Sequence, residues 1–66
     1  MPTKIALMGA GGKMGCRLTD NLKNLPAYQM YYVEVSEMGV ANLAKRGLTP
    51  TPQAEAIANA EVIILA

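Results

Sequence analysis

Four glycines fall within seven residues near the amino end, in the run Gly9-Ala10-Gly11-Gly12-Lys13-Met14-Gly15. A glycine inside a helix or strand costs roughly 0.5–1 kcal/mol relative to alanine, so a cluster of this density marks a turn with special backbone needs. The flanks of the turn differ in period. Before it, Lys4-Ile5-Ala6-Leu7-Met8 is a continuous apolar run, which fits a parallel strand covered on both faces. After it, Met14, Leu18, Leu22 and Leu25 recur at steps of four, four and three, which is one face of a helix. Lys13, Arg17, Asp20 and Lys23 take the other sides, and Pro26 closes the helix by disfavouring the α conformation at Leu25. A strand that turns through glycines into a helix restricts the chain to the α/β class.

The remainder continues the alternation. Met30-Tyr31-Tyr32-Val33-Glu34-Val35 is rich in β-branched and aromatic residues and reads as a second strand, with one tyrosine ring in the core and one near the surface. Met38 to Arg46 reads as a helix with Val40, Leu43 and Ala44 inward, and Gly47 is its left-handed stop. Leu48-Thr49 reads as a very short third strand. Thr51 then caps a helix that begins at Pro52 and runs through Gln53 to Asn59, with Ala54, Ile57 and Ala58 inward. Glu61 to Ala66 reads as a last, buried strand. The predicted order is β-α-β-α-β-α-β, a Rossmann-type parallel sheet joined by right-handed crossovers. Residues 1–66 are expected to form the amino-terminal portion of a larger doubly wound domain, because the pattern stops inside an apolar strand.

Composition narrows the function classes. The 66 residues carry a net charge of +1, with no basic patch for nucleic acid and no acidic tail. Hydrophobic residues make up 52%, which favours a folded core over disorder. Cys16 is the one cysteine and histidine is missing, so neither an internal disulfide nor a zinc site is expected, and a reducing, cytoplasmic compartment is. The run Ile5 to Ala10 is too short for a signal-peptide core, and Val62 to Ala66 falls far below the roughly 20 residues of a membrane span.

The glycine loop has a specific chemistry. Gly9 would make the tight turn leaving the strand, Gly11 or Gly12 would let a phosphate approach the backbone, and Gly15 would let the helix pack closely on the sheet. The free amides and dipole of the first helical turn then meet a pyrophosphate. The expected cofactor contacts are therefore Gly9, Ala10, Gly11, Gly12, Lys13, Met14 and Gly15. Gly9, Gly12 and Gly15 obey Gly-x-x-Gly-x-x-Gly, and Gly12-Lys13 lacks the Ser or Thr of a P-loop. Lys13 and Arg17 either assist the phosphate or are solvated, and Cys16 reads as a small packing residue in the first helical turn. An acidic residue near the end of the second strand should hold the adenosine ribose. Glu34 lies 25 and Glu37 lies 28 residues after Gly9. Glu34 falls inside the expected strand, so Ser36 and Glu37 are the expected ribose contacts. The competing reading of Glu37 is a solvated charge in the first turn of the next helix. A carboxylate there, with no cation before Lys45, repels a 2′-phosphate and favours NAD, with NADP as the alternative.

The stretches Lys4 to Gly15, Val33-Glu34-Val35-Ser36-Glu37 and Ala60 to Ala66 together resemble the nucleotide-binding front of the 6-phosphogluconate dehydrogenase and 3-hydroxyacid dehydrogenase superfamily. The resemblance is to its phosphogluconate-dehydrogenase-like branch, which includes the D-apionate oxidoisomerases; ketol-acid reductoisomerases are more distant. The glycine spacing differs by one inserted residue from the Gly-x-Gly-x-Met-Gly form of the main family. The resemblance implies an oxidoreductase that moves a hydride between a nicotinamide cofactor and a hydroxy acid, a sugar acid in particular. It further implies that the catalytic residues and a homodimer interface lie in a later helical domain, so that these 66 residues alone are inactive. Two rivals remain open at this point: a non-catalytic nucleotide-sensing domain of the same fold, and a segment that binds S-adenosylmethionine in a methyltransferase.

Overall fold

The computed structural model describes residues 2–66. Their elements are β1 (Thr3–Met8), α1 (Lys13–Leu22), β2 (Tyr28–Val33), α2 (Glu37–Lys45), α3 (Gln53–Asn59) and β3 (Val62–Leu65). The three strands form one parallel sheet in the order β2-β1-β3. The chain leaves β1 toward β2 on one side and later returns to place β3 on the other. The carboxyl end of β1 is therefore the point where strand order reverses, and the glycine loop begins there. Open α/β sheets place their ligands at such a crevice.

Alternation along the strands divides the core. Leu7 and Tyr32 pack with Ala10 and Leu43 on the face that carries α2, where Leu18 of α1 joins them. Ala6 and Val33 pack with Ala56 of α3 on the opposite face. The register sets Leu7 beside Tyr32 and Met8 beside Val33, so both strands end level beneath the loop. Tyr32 is buried and Tyr31 half-buried, as the pairing of one inner and one outer ring requires.

The fold differs from expectation in several places besides the bounds of β2. Leu48-Thr49 forms no strand, so the order is β-α-β-α-α-β. The Leu48 amide donates to the Leu43 carbonyl (3.0 Å) and that of Gly47 (φ +72°) to Ala44 (2.9 Å). This is the Schellman closure of α2, with Leu48 packed back onto the Leu43 cluster. A residue committed to a helix stop cannot also pair along a sheet edge. Second, α1 ends at Leu22, short of Leu25, which is 44% exposed. Its buried positions are Gly15 and Thr19, while Met14 points outward at 55% exposure. Third, Pro52 and not Thr51 precedes the first turn of α3, which buries Ala56 in place of Ala54, Ile57 and Ala58. In α2 the buried pair is Gly39 and Leu43, with Val40 half-buried and Ala44 exposed. Fourth, within these residues β3 pairs with β1 alone, and Val62, Ile63 and Leu65 are exposed.

Candidate nucleotide-binding site

The loop from Gly9 to Gly15 is fixed almost peptide by peptide. Gly9 has φ +75°, the left-handed conformation that a tight exit from β1 needs. The amides of Gly9 and Ala10 both donate to the Val33 carbonyl, at 2.9 and 3.1 Å, and the Gly12 amide donates to Gly9 at 3.1 Å. The Thr19 hydroxyl, fully buried in α1, donates to the Ala10 carbonyl at 3.3 Å. At Gly15 a Cβ would run into the carbonyl of Gly9 and the backbone of Ala10, so helix and strand approach as closely as expected there.

Gly11 and Gly12, equivalent in the sequence pattern, separate in the structure. Gly11 is buried, and a Cβ on it would overlap the backbone of Gly39 in α2. Its missing side chain makes room for α2. Gly12 is exposed, with the Gly9 carbonyl 3.4 Å from a Cβ position, so its outer side is open. Gly12 is also the residue that precedes α1, and no side chain caps that helix. The amides of the first turn thus face outward beside Gly12, and Lys13 and Met14 are exposed around them.

The acidic residue that meets the glycine loop is Glu34. The sequence places it inside a strand, but β2 ends at Val33 and Glu34 is the first residue beyond it. The strand starts two residues earlier than Met30, at Tyr28, and it ends two residues before Val35. Glu34 Oε1 accepts from the Gly11 amide at 3.0 Å. Oε2 accepts from the amides of Val35 (3.0 Å) and Ser36 (3.1 Å) and from the Ser36 hydroxyl (3.1 Å). The Ser36 amide, followed by those of Gly11, the Ser36 hydroxyl and Val35, holds the carboxyl below its ordinary range against the opposing effect of partial burial. Oε1 accepts one bond and so keeps a lone pair for a further donor. Ser36 also caps α2, its Oγ accepting from the Gly39 amide at 3.0 Å, and Glu37 is an exposed residue of the first turn.

Beside Glu34 lies an open cleft of about 270 Å³ between Val33–Val35 and Pro50–Gln53. That is at the small end of ligand pockets, room for one ring system and not for a whole dinucleotide. The Thr51 amide donates to the Tyr32 carbonyl at 2.7 Å and fixes the far wall. Sequence reasoning missed this wall, as well as Gly39, Asn42 and Thr19. The available signal was Thr51 with Pro52, read as a helix start.

Cys16 is half-buried and its thiol donates to the Gly11 carbonyl at 3.4 Å. Arg17 is exposed on α1. Among the described residues, no helix is long and apolar enough to cross a membrane.

No family model matches the chain. Curated relatives do. The chain is 51% identical over 65 residues to a D-apionate oxidoisomerase of Rhizobium rhizogenes, covering 97% of the chain and 23% of that protein. It is 40% identical over 63 residues to one of Blautia hydrogenotrophica, covering 94% and 22%. Among solved structures it superposes, with TM-score 0.92 and 48% identity, on a semialdehyde dehydrogenase NAD-binding protein from Cupriavidus necator in complex with calcium and NAD. That match covers 100% of the chain and 24% of its counterpart. The chain thus spans under a quarter of the length of these relatives, and its fold is a Rossmann-like parallel α/β segment.

Proposed function

We propose that this chain is the NAD(P)-binding segment of an oxidoreductase, and that it holds the pyrophosphate and adenosine of the cofactor. The observation that carries this reading is the pairing of two features at the carboxyl edge of the sheet. An uncapped helix start with an open glycine, Gly12, stands beside a strand-end carboxylate, Glu34. The first supplies outward amides for a pyrophosphate and the second an acceptor for ribose hydroxyls. The likeness to an NAD-bound structure supports the same assignment.

The residues divide the work. Gly12, Lys13 and Met14 form the outer face of the phosphate loop, while Gly9, Ala10, Gly11 and Gly15 give it its shape. Glu34 takes the ribose through Oε1, and the cleft bounded by Pro50–Gln53 takes the adenine. Ser36 acts through Glu34, which it orients with its amide and hydroxyl, and Glu37 is an exposed residue of the first turn of α2 outside the cleft. The bound nicotinamide supplies hydride transfer, and this segment fixes where it is delivered. A hydroxy acid, in particular a sugar acid, is the substrate class that the named relatives suggest, with substrate held by other parts of a longer, homodimeric protein.

NAD is the preferred cofactor in this reading, because the Glu34 carboxylate would face the 2′-phosphate of NADP. Calorimetric titration of the intact protein with NADH, NADPH and S-adenosylmethionine tests the proposal. NADH should bind tightest, and Glu34→Gln should lower its affinity roughly tenfold or more while narrowing the gap to NADPH. Glu37→Arg should change the ratio little. Binding of S-adenosylmethionine alone, or a preference reversed by Glu37→Arg and untouched at Glu34, would refute the assignment.

A further inference from the structure

Both backbone groups of Gly11 are held by side chains that come from the β2–α2 region. Its amide is held by Glu34, and its carbonyl accepts from Asn42 Nδ2 at 2.9 Å, across 31 residues of sequence. Asn42 lies on α2, half-buried, one turn after Gly39, whose backbone touches Gly11. Arg46, a turn further, donates to the Asn42 carbonyl at 2.9 Å and forks onto Asp20 of α1 at 2.7 and 3.2 Å. The two helices are thereby tied to each other, and the tie ends on the peptide that precedes Gly12.

We propose that Asn42 is a positioning residue for the phosphate loop, which sets the direction of the first-turn amides of α1 by holding the Gly11 carbonyl away from them. The inference rests on the cofactor reading above. Without Asn42 the carbonyl keeps only the longer bond from the Cys16 thiol, at 3.4 Å, and rotation of its peptide would turn an oxygen dipole toward the pyrophosphate in place of amide hydrogens. Asn42 touches neither the cleft beside Glu34 nor the outer face of the loop, so its effect reaches the ligand through Gly11 alone. Its action should appear only with ligands that carry the pyrophosphate.

The test measures the intact protein and its Asn42→Ala and Asn42→Leu variants. NADH and ADP-ribose are titrated calorimetrically, and adenosine by ligand-observed NMR. Leu comes close to the shape of Asn and removes the donor without adding charge, so it serves where Ala disturbs folding. Both variants should lose about three- to tenfold in affinity for NADH and ADP-ribose, the range of one hydrogen bond, with adenosine affinity unchanged. Unchanged NADH affinity in a folded variant overturns the proposal. An equal loss for adenosine also overturns it, since that is the mark of general loosening. A parent protein that binds adenosine but neither pyrophosphate ligand would instead overturn the cofactor reading itself.

Discussion

At the scale of the residue, neighbouring glycines do different work. Gly11 is where α2 crosses the loop, and its backbone contact with Gly39 leaves no volume for a side chain. Gly12 faces outward with ordinary negative φ, −77°, so a larger residue fits the folded backbone. Gly12→Val should leave the thermal midpoint near that of the parent and weaken NADH binding by blocking the amides. Gly11→Val should lower the midpoint itself. Melting curves and calorimetry on both variants check this, and equal stability of the two would contradict the packing described. Glu34 adds a pH dependence. Its folded pKa lies below the ordinary value of 4.5. Its contribution to stability is therefore fully present above pH 4.5 and is lost as pH falls through the folded value. Glu34→Gln should flatten the stability profile in that acid window and leave its shape near neutrality unchanged, as read from denaturant titrations across pH.

Elements are held by a few committed positions more than by their average character. Met14 and Leu25 belong to the apolar period of α1 yet are exposed, while Gly15 and Thr19 face β1. Close approach of helix to strand selects small residues for the contact, and a polar Thr19 is accepted because its hydroxyl reaches the Ala10 carbonyl. In α2 the anchor is Leu43, fully buried against Leu7 and Tyr32 and also the carbonyl partner of Leu48 in the helix stop. Leu43→Ala should cost about 2–5 kcal/mol. In denaturant titrations it should loosen the phosphate loop together with the sheet, since α2 carries both Gly39 and Asn42. A loss under 1 kcal/mol would show that α2 is not part of the core.

At the scale of the whole molecule the sheet has an apolar margin. Ile63 and Leu65 of β3 are 49% and 82% exposed, on a strand that pairs with β1 on one side. An uncovered apolar strand edge is a template for association. The 66-residue chain expressed by itself should self-associate. Ile63→Lys with Leu65→Lys should shift it toward monomer in light scattering, and a monomeric parent would refute this.

Sequence alone determined the strand–glycine–helix opening, the parallel α/β class, the tight turn at Gly9, the left-handed stop at Gly47, the close packing at Gly15 and the position of the glycine loop. Each follows from local periodicity or from the conformational freedom of glycine, which neighbours in sequence suffice to specify. Tertiary structure decided the rest. It ended β2 at Val33, so Glu34 and not Glu37 meets the loop. It packed Leu48 onto the cluster of Leu7 and Tyr32 where a strand was expected. It assigned Gly11 to α2 and Gly12 to solvent. These outcomes depend on which surfaces meet across 20 to 30 residues of chain, and hydrogen bonds such as that from Asn42 to Gly11 leave no periodic mark in the sequence.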